Sequence, residues 1–185
     1  MSSKTRYAIL GLLAVEPMSG YQMRQSMKTK TAYFWSESDG QLYPTLAQLQ
    51  KEGLIEMFES AGEGKRDKKT YNITDAGREE LQTWLAAQPE TQSVRSEFML
   101  KLFFGGNVAP NINLEHVEAQ RYEAKAAVQQ LEVMRKQLIE KQKDSPHLPY
   151  WLMSLDHGLK IGKAKLEWSE DVIRTLKAMS KKTKA

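Results

Sequence analysis

Apolar positions between Lys4 and Val15 recur so that Ala8, Ile9, Leu12 and Leu13 share one side of a helix, which Glu16 and Pro17 close. Ser19 stands where a cap is wanted, ahead of a second helix from about Gly20 to Lys30 whose buried side would be Tyr21, Met23 and Met27. The aromatic run Tyr33-Phe34-Trp35 suits a core or an interface. Leu42, Leu46 and Leu49 then follow at steps of four and three, predicting a third helix that Gly53 stops in left-handed conformation. Two starts for this helix are compatible with the sequence. Ser38 and Gln41 have capping-box spacing, which puts Pro44 past the first turn; a start near Tyr43 puts Pro44 where proline is well placed. After Gly53 the period shortens toward two. Residues 54–59 and 69–73 read as strands, joined by the charged, glycine-containing stretch SAGEGKRDK as a hairpin with a long tip. Thr74 caps a fourth helix with Ala76, Leu81, Trp84 and Leu85 as its apolar residues.

Pro89 and the polar run Glu90-Thr91-Gln92-Ser93 divide the chain, predicting one domain over residues 1–92 and another over 93–185. The second reads as helical throughout. SEFMLKLFFGG is a short apolar helix ended by Gly105-Gly106. Asn113 is the expected cap of a long helix from about Leu114 to Lys143, with Val117, Ala124, Leu131 and Leu138 at seven-residue intervals and Ala127 and Met134 between them. A last helix, about Leu148 to Met179, carries Leu148, Leu152, Leu155, Leu159, Gly162, Leu166, Ser169, Ile173 and Leu176 at alternating steps of four and three. This is the seam of a coiled-coil-like pair, with Gly162 and Ser169 small enough for close approach. An exposed leucine seam would not stay in water. It therefore predicts a homodimer whose interface holds Leu148, Leu152, Leu155, Leu159, Gly162, Leu166 and Ile173.

The composition, 185 residues with 41% apolar and 27% charged, is that of a globular chain. With no cysteine, disulfides, thiolate nucleophiles and cysteine-held metals are excluded. No apolar run approaches the ~18 residues of a membrane span. The short apolar start lacks a small-residue cleavage site, so a cytoplasmic location is expected. The net charge of +4 hints at nucleic acid, but residues 1–92 hold 11 basic and 12 acidic side chains. The excess lies in the second half, so a DNA-binding reading must rest on local pattern. Enzyme chemistry finds little support. His116, His147 and His157 fit no ligand motif, the acidic pairs Glu79-Glu80 and Glu170-Asp171 are adjacent in sequence and do not share a helix face, and no glycine-rich loop could cradle phosphate. Neither cofactor nor metal is expected.

Three helices followed by a two-stranded hairpin is the order of a winged helix-turn-helix. The expected fold is thus mainly α with a small β-hairpin: an N-terminal winged helix-turn-helix and a C-terminal helical dimerisation domain. With the three leucines of the third helix turned inward, Gln41, Tyr43, Pro44, Thr45 and Gln48 lie on its other faces, where they could read base edges in a major groove. Lys65, Arg66, Lys68 and Lys69 crowd the hairpin tip and suit phosphate or minor-groove contact. A protein–protein adaptor built on the same winged helix is the alternative, since fold alone does not fix function.

The segments YAILGLLAVEPMSGYQM, DGQLYPTLAQLQKEGLI and KKTYNITDAGREELQTWL resemble the PadR family of bacterial transcriptional regulators in order and spacing, over residues 6–85. FMLKLFFGG, the long helix and HGLKIGKAKLEWSEDVI resemble, more loosely, that family's long C-terminal domain. The resemblance implies a dimeric regulator, mostly a repressor, that binds an inverted-repeat operator through the winged domain. It implies DNA-facing roles for Tyr43, Pro44, Thr45, Gln48, Lys65 and Arg66, and, as in many members, release of DNA by a small aromatic or phenolic effector. Glu59, Glu63 and Asp67 depart from a purely basic wing. For the effector, the aromatic residues outside the winged domain, Phe98, Phe103, Trp151 and Trp168 together with Phe104, are the candidates.

Overall fold

In a computed structural model the described residues are 4–35, 40–60, 68–90 and 95–182. They form two compact units, residues 1–91 and 92–185. The first contains α1 (Thr5–Val15), β1 (Met18–Ser19), α2 (Gly20–Ser26), α3 (Leu42–Lys51), β2 (Ile55–Ser60), β3 (Lys68–Ile73) and α4 (Asp75–Ala86). Ile9, Leu10, Leu13, Met23, Leu46, Leu49 and Ile55 are fully enclosed between the helices and the sheet.

Ser19 forms a complete capping box: its hydroxyl accepts from the Gln22 N–H, and the Gln22 carboxamide oxygen accepts from the Ser19 N–H at 2.9 Å. The second helix runs α-helically only to Ser26 and continues as one π-helical turn, Met27–Thr31. Met23 and Met27 are buried as expected, but Tyr21 is exposed. Gly20, Met23 and Met27 are spaced for one face, and Tyr21, one residue after Gly20, is turned ~100° away from it. In the fourth helix only Gly77 and Leu81 are buried; Ala76 and Leu85 face solvent, and Trp84 lies flat on Tyr7 of α1 at a ring distance of 4.4 Å.

The sheet holds one strand more than the sequence pattern indicates. Its order is β1-β3-β2, all antiparallel, with Met18 opposite Tyr71 and Ile55 opposite Ile73. β1 is two residues long, too short to show a period. The chain enters β2 through Gly53, at φ 73°, the left-handed conformation glycine adopts without strain. Thr74 closes the return. Its hydroxyl accepts from the Gly77 N–H at 3.2 Å and donates to the Gly53 carbonyl at 2.8 Å, joining the cap of α4 to the end of α3. Thr74→Ala should therefore lower the stability of this unit by about 1–2 kcal/mol in urea denaturation, and Thr74→Ser should retain most of it.

The second unit holds α5 (Glu97–Phe103), α6 (Pro110–Lys141) and α7 (Leu148–Lys182). Ser96 caps α5 by accepting from the Met99 N–H. Asn113 does not cap α6, which begins three residues earlier with Pro110 as its first helical residue. The Asn113 carboxamide is buried instead and donates to the Gly105 carbonyl at 2.9 Å, binding the turn after α5 to α6. α6 and α7 pack along their lengths. Val117, Ala124, Val128 and Leu131 form the buried stripe of α6, Val128 taking the place expected of Ala127, which is exposed.

Much of the predicted interface seam of α7 is covered within the chain. Leu155 is 1% exposed, and Leu159, Ser169 and Ile173 are buried, while Leu148, Leu152, Gly162 and Leu166 are half-buried. A methyl on Gly162 would lie 2.7 Å from the Val128 side chain, so this small residue admits α6 at close range. Lys163–Glu132 and Lys177–Glu118 ion pairs at 3.2 and 3.3 Å flank the same contact. α6 of the same chain thus covers Leu155, Leu159, Ser169 and Ile173 and leaves Leu148, Leu152, Gly162 and Leu166 partly open.

Candidate functional site

Pro44 is the third residue of α3, whose first turn has no intrahelical N–H bonds to lose. The later of the two starts is the one adopted. The Ser38 half of the proposed capping box lies outside the described residues, and Gln41, at the cap position, makes no side-chain cap bond. Burying Leu42, Leu46 and Leu49 leaves Gln41, Tyr43, Pro44 and Gln48 exposed and Thr45 half-buried on the opposite side. Ten residues of helix span ~15 Å, a size that a major groove admits.

Each of these side chains has a defined disposition. The Thr45 hydroxyl donates to the Gln41 carbonyl at 2.7 Å, leaving its oxygen lone pairs and its methyl as outward contacts. Tyr43 is 56% exposed and crosses the start of α2: a Cβ on Gly20 would sit 2.9 Å from its ring. The Gln48 carboxamide nitrogen donates to Glu52 at 2.7 Å. The other Glu52 oxygen accepts from Arg6 at 2.7 Å, and the same Arg6 nitrogen lies 2.7 Å from Glu80. This network joins α1, the end of α3 and α4. The hydrogen bond from Gln48, then the bond and charge of Arg6, hold the Glu52 carboxyl below the usual carboxylate range. Burial opposes the charge on Arg6, but the bonds and charges of Glu52 and Glu80 outweigh it and raise the guanidinium above its ordinary value. Sequence reading missed Arg6, Glu52 and Glu80, because a contact spanning 46 residues leaves no local periodic signal.

Lys65 and Arg66 of the hairpin tip lie outside the described residues, and Lys68 opens β3. The four aromatics expected to meet around one gap do not do so within the chain. Phe98 and Trp168 pack edge to face at 5.9 Å. Trp151 instead lies against His147 in the first turn of α7, 17 residues or ~25 Å of helix away. Phe103 is 82% exposed and touches Phe104. A separate open groove of about 370 Å³ runs between α5 and the start of α6, lined by Leu100, Phe104, Val108, Ile112, Asn113 and His116. No group of three or more potential metal ligands occurs among the described residues.

Comparison with known proteins bears directly on this arrangement. The family described as "Transcriptional regulator PadR-like family" matches residues 9–83, and "Virulence activator alpha C-term" matches residues 94–177. A solved structure of Bacillus subtilis PadR in complex with operator DNA is 32% identical, covers 92% of this chain and 98% of its own, and superposes with a TM-score of 0.79. The chain belongs to the PadR-like family of transcriptional regulators. The same Bacillus subtilis protein, described as a negative transcriptional regulator, is 42% identical over 100 residues, 54% of this chain and 55% of that one. A probable transcriptional regulator of Mycobacterium tuberculosis is 34% identical over 80 residues, 43% of this chain and 42% of that one. These curated matches thus span about half the length of each relative. A PadR-like regulator from Bacillus cereus is 27% identical with a TM-score of 0.82, covering 95% of this chain and 99% of its own. Family and fold agree with the winged helix-turn-helix expected from the sequence, and the family is one of regulators, not enzymes. Among the described residues no helix is long and apolar enough to cross a membrane.

Proposed function

We propose that this PadR-like chain is a cytoplasmic, sequence-specific DNA-binding repressor that acts as a homodimer on an inverted-repeat operator. The observation that carries the reading is the outer face of α3, where Tyr43, Pro44 and Gln48 are exposed and Thr45 is half-buried on the third helix of a winged unit. The relative of 32% identity solved with operator DNA supports it. Bases would be read by Thr45 and Gln48, with Gln41 and Tyr43 flanking them, and phosphates held by Lys65, Arg66 and Lys68 of the wing. Two reading helices in a symmetric dimer fit half-sites about one helical turn apart.

Because α6 already covers much of the leucine seam, the dimer contact is assigned to other apolar surface of the second unit. Met99, Leu100 and Phe103 of α5, with Phe104, Val108 and Ile112 beyond it, are large and exposed. Contiguous apolar surface of this kind marks contact sites. The effector reading is narrowed likewise. Bacillus subtilis PadR has also been solved with p-coumaric acid, at 32% identity to this chain. A planar phenolic acid would regulate this chain by binding the DNA-incompetent arrangement more tightly than the competent one. The Phe98–Trp168 pair is its candidate contact, whereas Trp151 stands apart from that pair within one chain.

Thr45→Ala and Gln48→Ala should each relax base preference at one or two operator positions by about 1–3 kcal/mol, read from a base-substitution series of duplexes. Unchanged selectivity in both variants would refute the assigned reading face.

A further inference from the structure

We infer that Glu52 is a specificity-positioning residue, which fixes the orientation of the Gln48 carboxamide for base reading. The inference rests on the DNA-reading role proposed for α3. A glutamine side chain has two N–H donors and one carbonyl acceptor, and a free one can present them either way round. Here one Gln48 N–H is taken by Glu52 at 2.7 Å. A flipped amide would set its carbonyl oxygen against a carboxylate oxygen, which accepts and cannot donate. The remaining N–H and the carbonyl are left for a base edge, one donor and one acceptor, the kinds of group that N7 and the N6 amino group of adenine require.

Glu52 is itself held from two other elements. Arg6 of α1, only 20% exposed, bonds its second oxygen at 2.7 Å and is braced by Glu80 of α4. Helix stability does not account for an acid at this place. Glu52 occupies the C-cap of α3, where the helix dipole disfavours negative charge. A carboxylate beside a reading face would also repel phosphates, and Arg6, shared with Glu80, offsets only part of that charge.

The test uses the full-length protein and an operator duplex selected by the wild-type chain from a random pool, followed by substitution of each base pair in turn. Glu52→Ala and Glu52→Met should each lower discrimination about tenfold at the base pair where Gln48→Ala does, and nowhere else. Glu52→Gln, which keeps an acceptor carbonyl, should retain most of it. Adding Glu52→Ala to Gln48→Ala should cause no further loss at that pair. Far-UV circular dichroism of each variant confirms the fold. If Glu52→Ala and Glu52→Met change affinity for every duplex by the same factor while Gln48→Ala alters selectivity, Glu52 is only structural or electrostatic and the inference fails alone. If Gln48→Ala leaves selectivity unchanged, the inference fails, and the assignment of the reading face fails with it when Thr45→Ala is equally without effect.

Discussion

Gly77→Ala should destabilise the winged unit by about 3 kcal/mol, although glycine to alanine within a helix ordinarily stabilises by up to ~1 kcal/mol. A Cβ at this position would lie 2.1 Å from the Leu54 carbonyl oxygen and 2.9 Å from the Ile73 side chain. Leu54 cannot yield cheaply. Its carbonyl accepts from the Thr74 N–H at 3.1 Å, and its N–H bonds the Leu49 carbonyl at 3.0 Å. Moving it opens the junction of α3, β2 and α4, the frame that aims the reading helix. The winged unit's thermal transition should fall by roughly 10–20 °C, and operator affinity should fall with it. An alanine variant as stable as the parent would show that α4 does not approach β2 this closely.

Leu155→Asp should disrupt the α6–α7 pair itself, not merely separate two subunits. Leu155 is 1% exposed within the chain. Replacing it with a carboxylate removes a packed side chain and buries an unpaired charge, together costing about 3–5 kcal/mol or more. Helical signal should be lost at every protein concentration, in circular dichroism and in hydrogen exchange along both helices. A variant that kept full helicity yet ran as a folded monomer would restore α7 to the subunit interface. Phe103→Asp on exposed α5 is the counterpart: it should leave helicity intact and shift the protein from dimer to monomer in sedimentation.

The winged unit was largely legible in the sequence because its signals are local. Ser19 and Thr74 cap where expected, Gly53 turns left-handed, and the Leu42–Leu46–Leu49 stripe is buried. What escaped was non-local. β1 is two residues long and is defined only by its pairing with Tyr71 and Thr70. The Arg6–Glu52–Glu80 network joins three separate helices. In the second unit the periodicity located the seam of α7 but could not say which helix covers it. Heptads specify a facing helix, and α6 of the same chain satisfies them as well as a partner's would. Asn113 shows the same limit: it has cap chemistry, but Pro110 starts the helix earlier and leaves the amide to bind the Gly105 carbonyl. The aromatics show a further limit, since composition gives no separation: Trp151 and Trp168 lie 17 residues apart on one 35-residue helix.

The central claim, that α3 reads DNA sequence, is tested most directly by titrating the full-length wild-type protein against duplexes from upstream of its own and neighbouring genes and against scrambled duplexes, at two salt concentrations. The account predicts one upstream duplex bound about 10³-fold or more tighter than its scrambled form, with both affinities falling as salt rises. Equal affinity for native and scrambled duplexes at both salts would contradict it, and would assign the winged helix to protein contact instead.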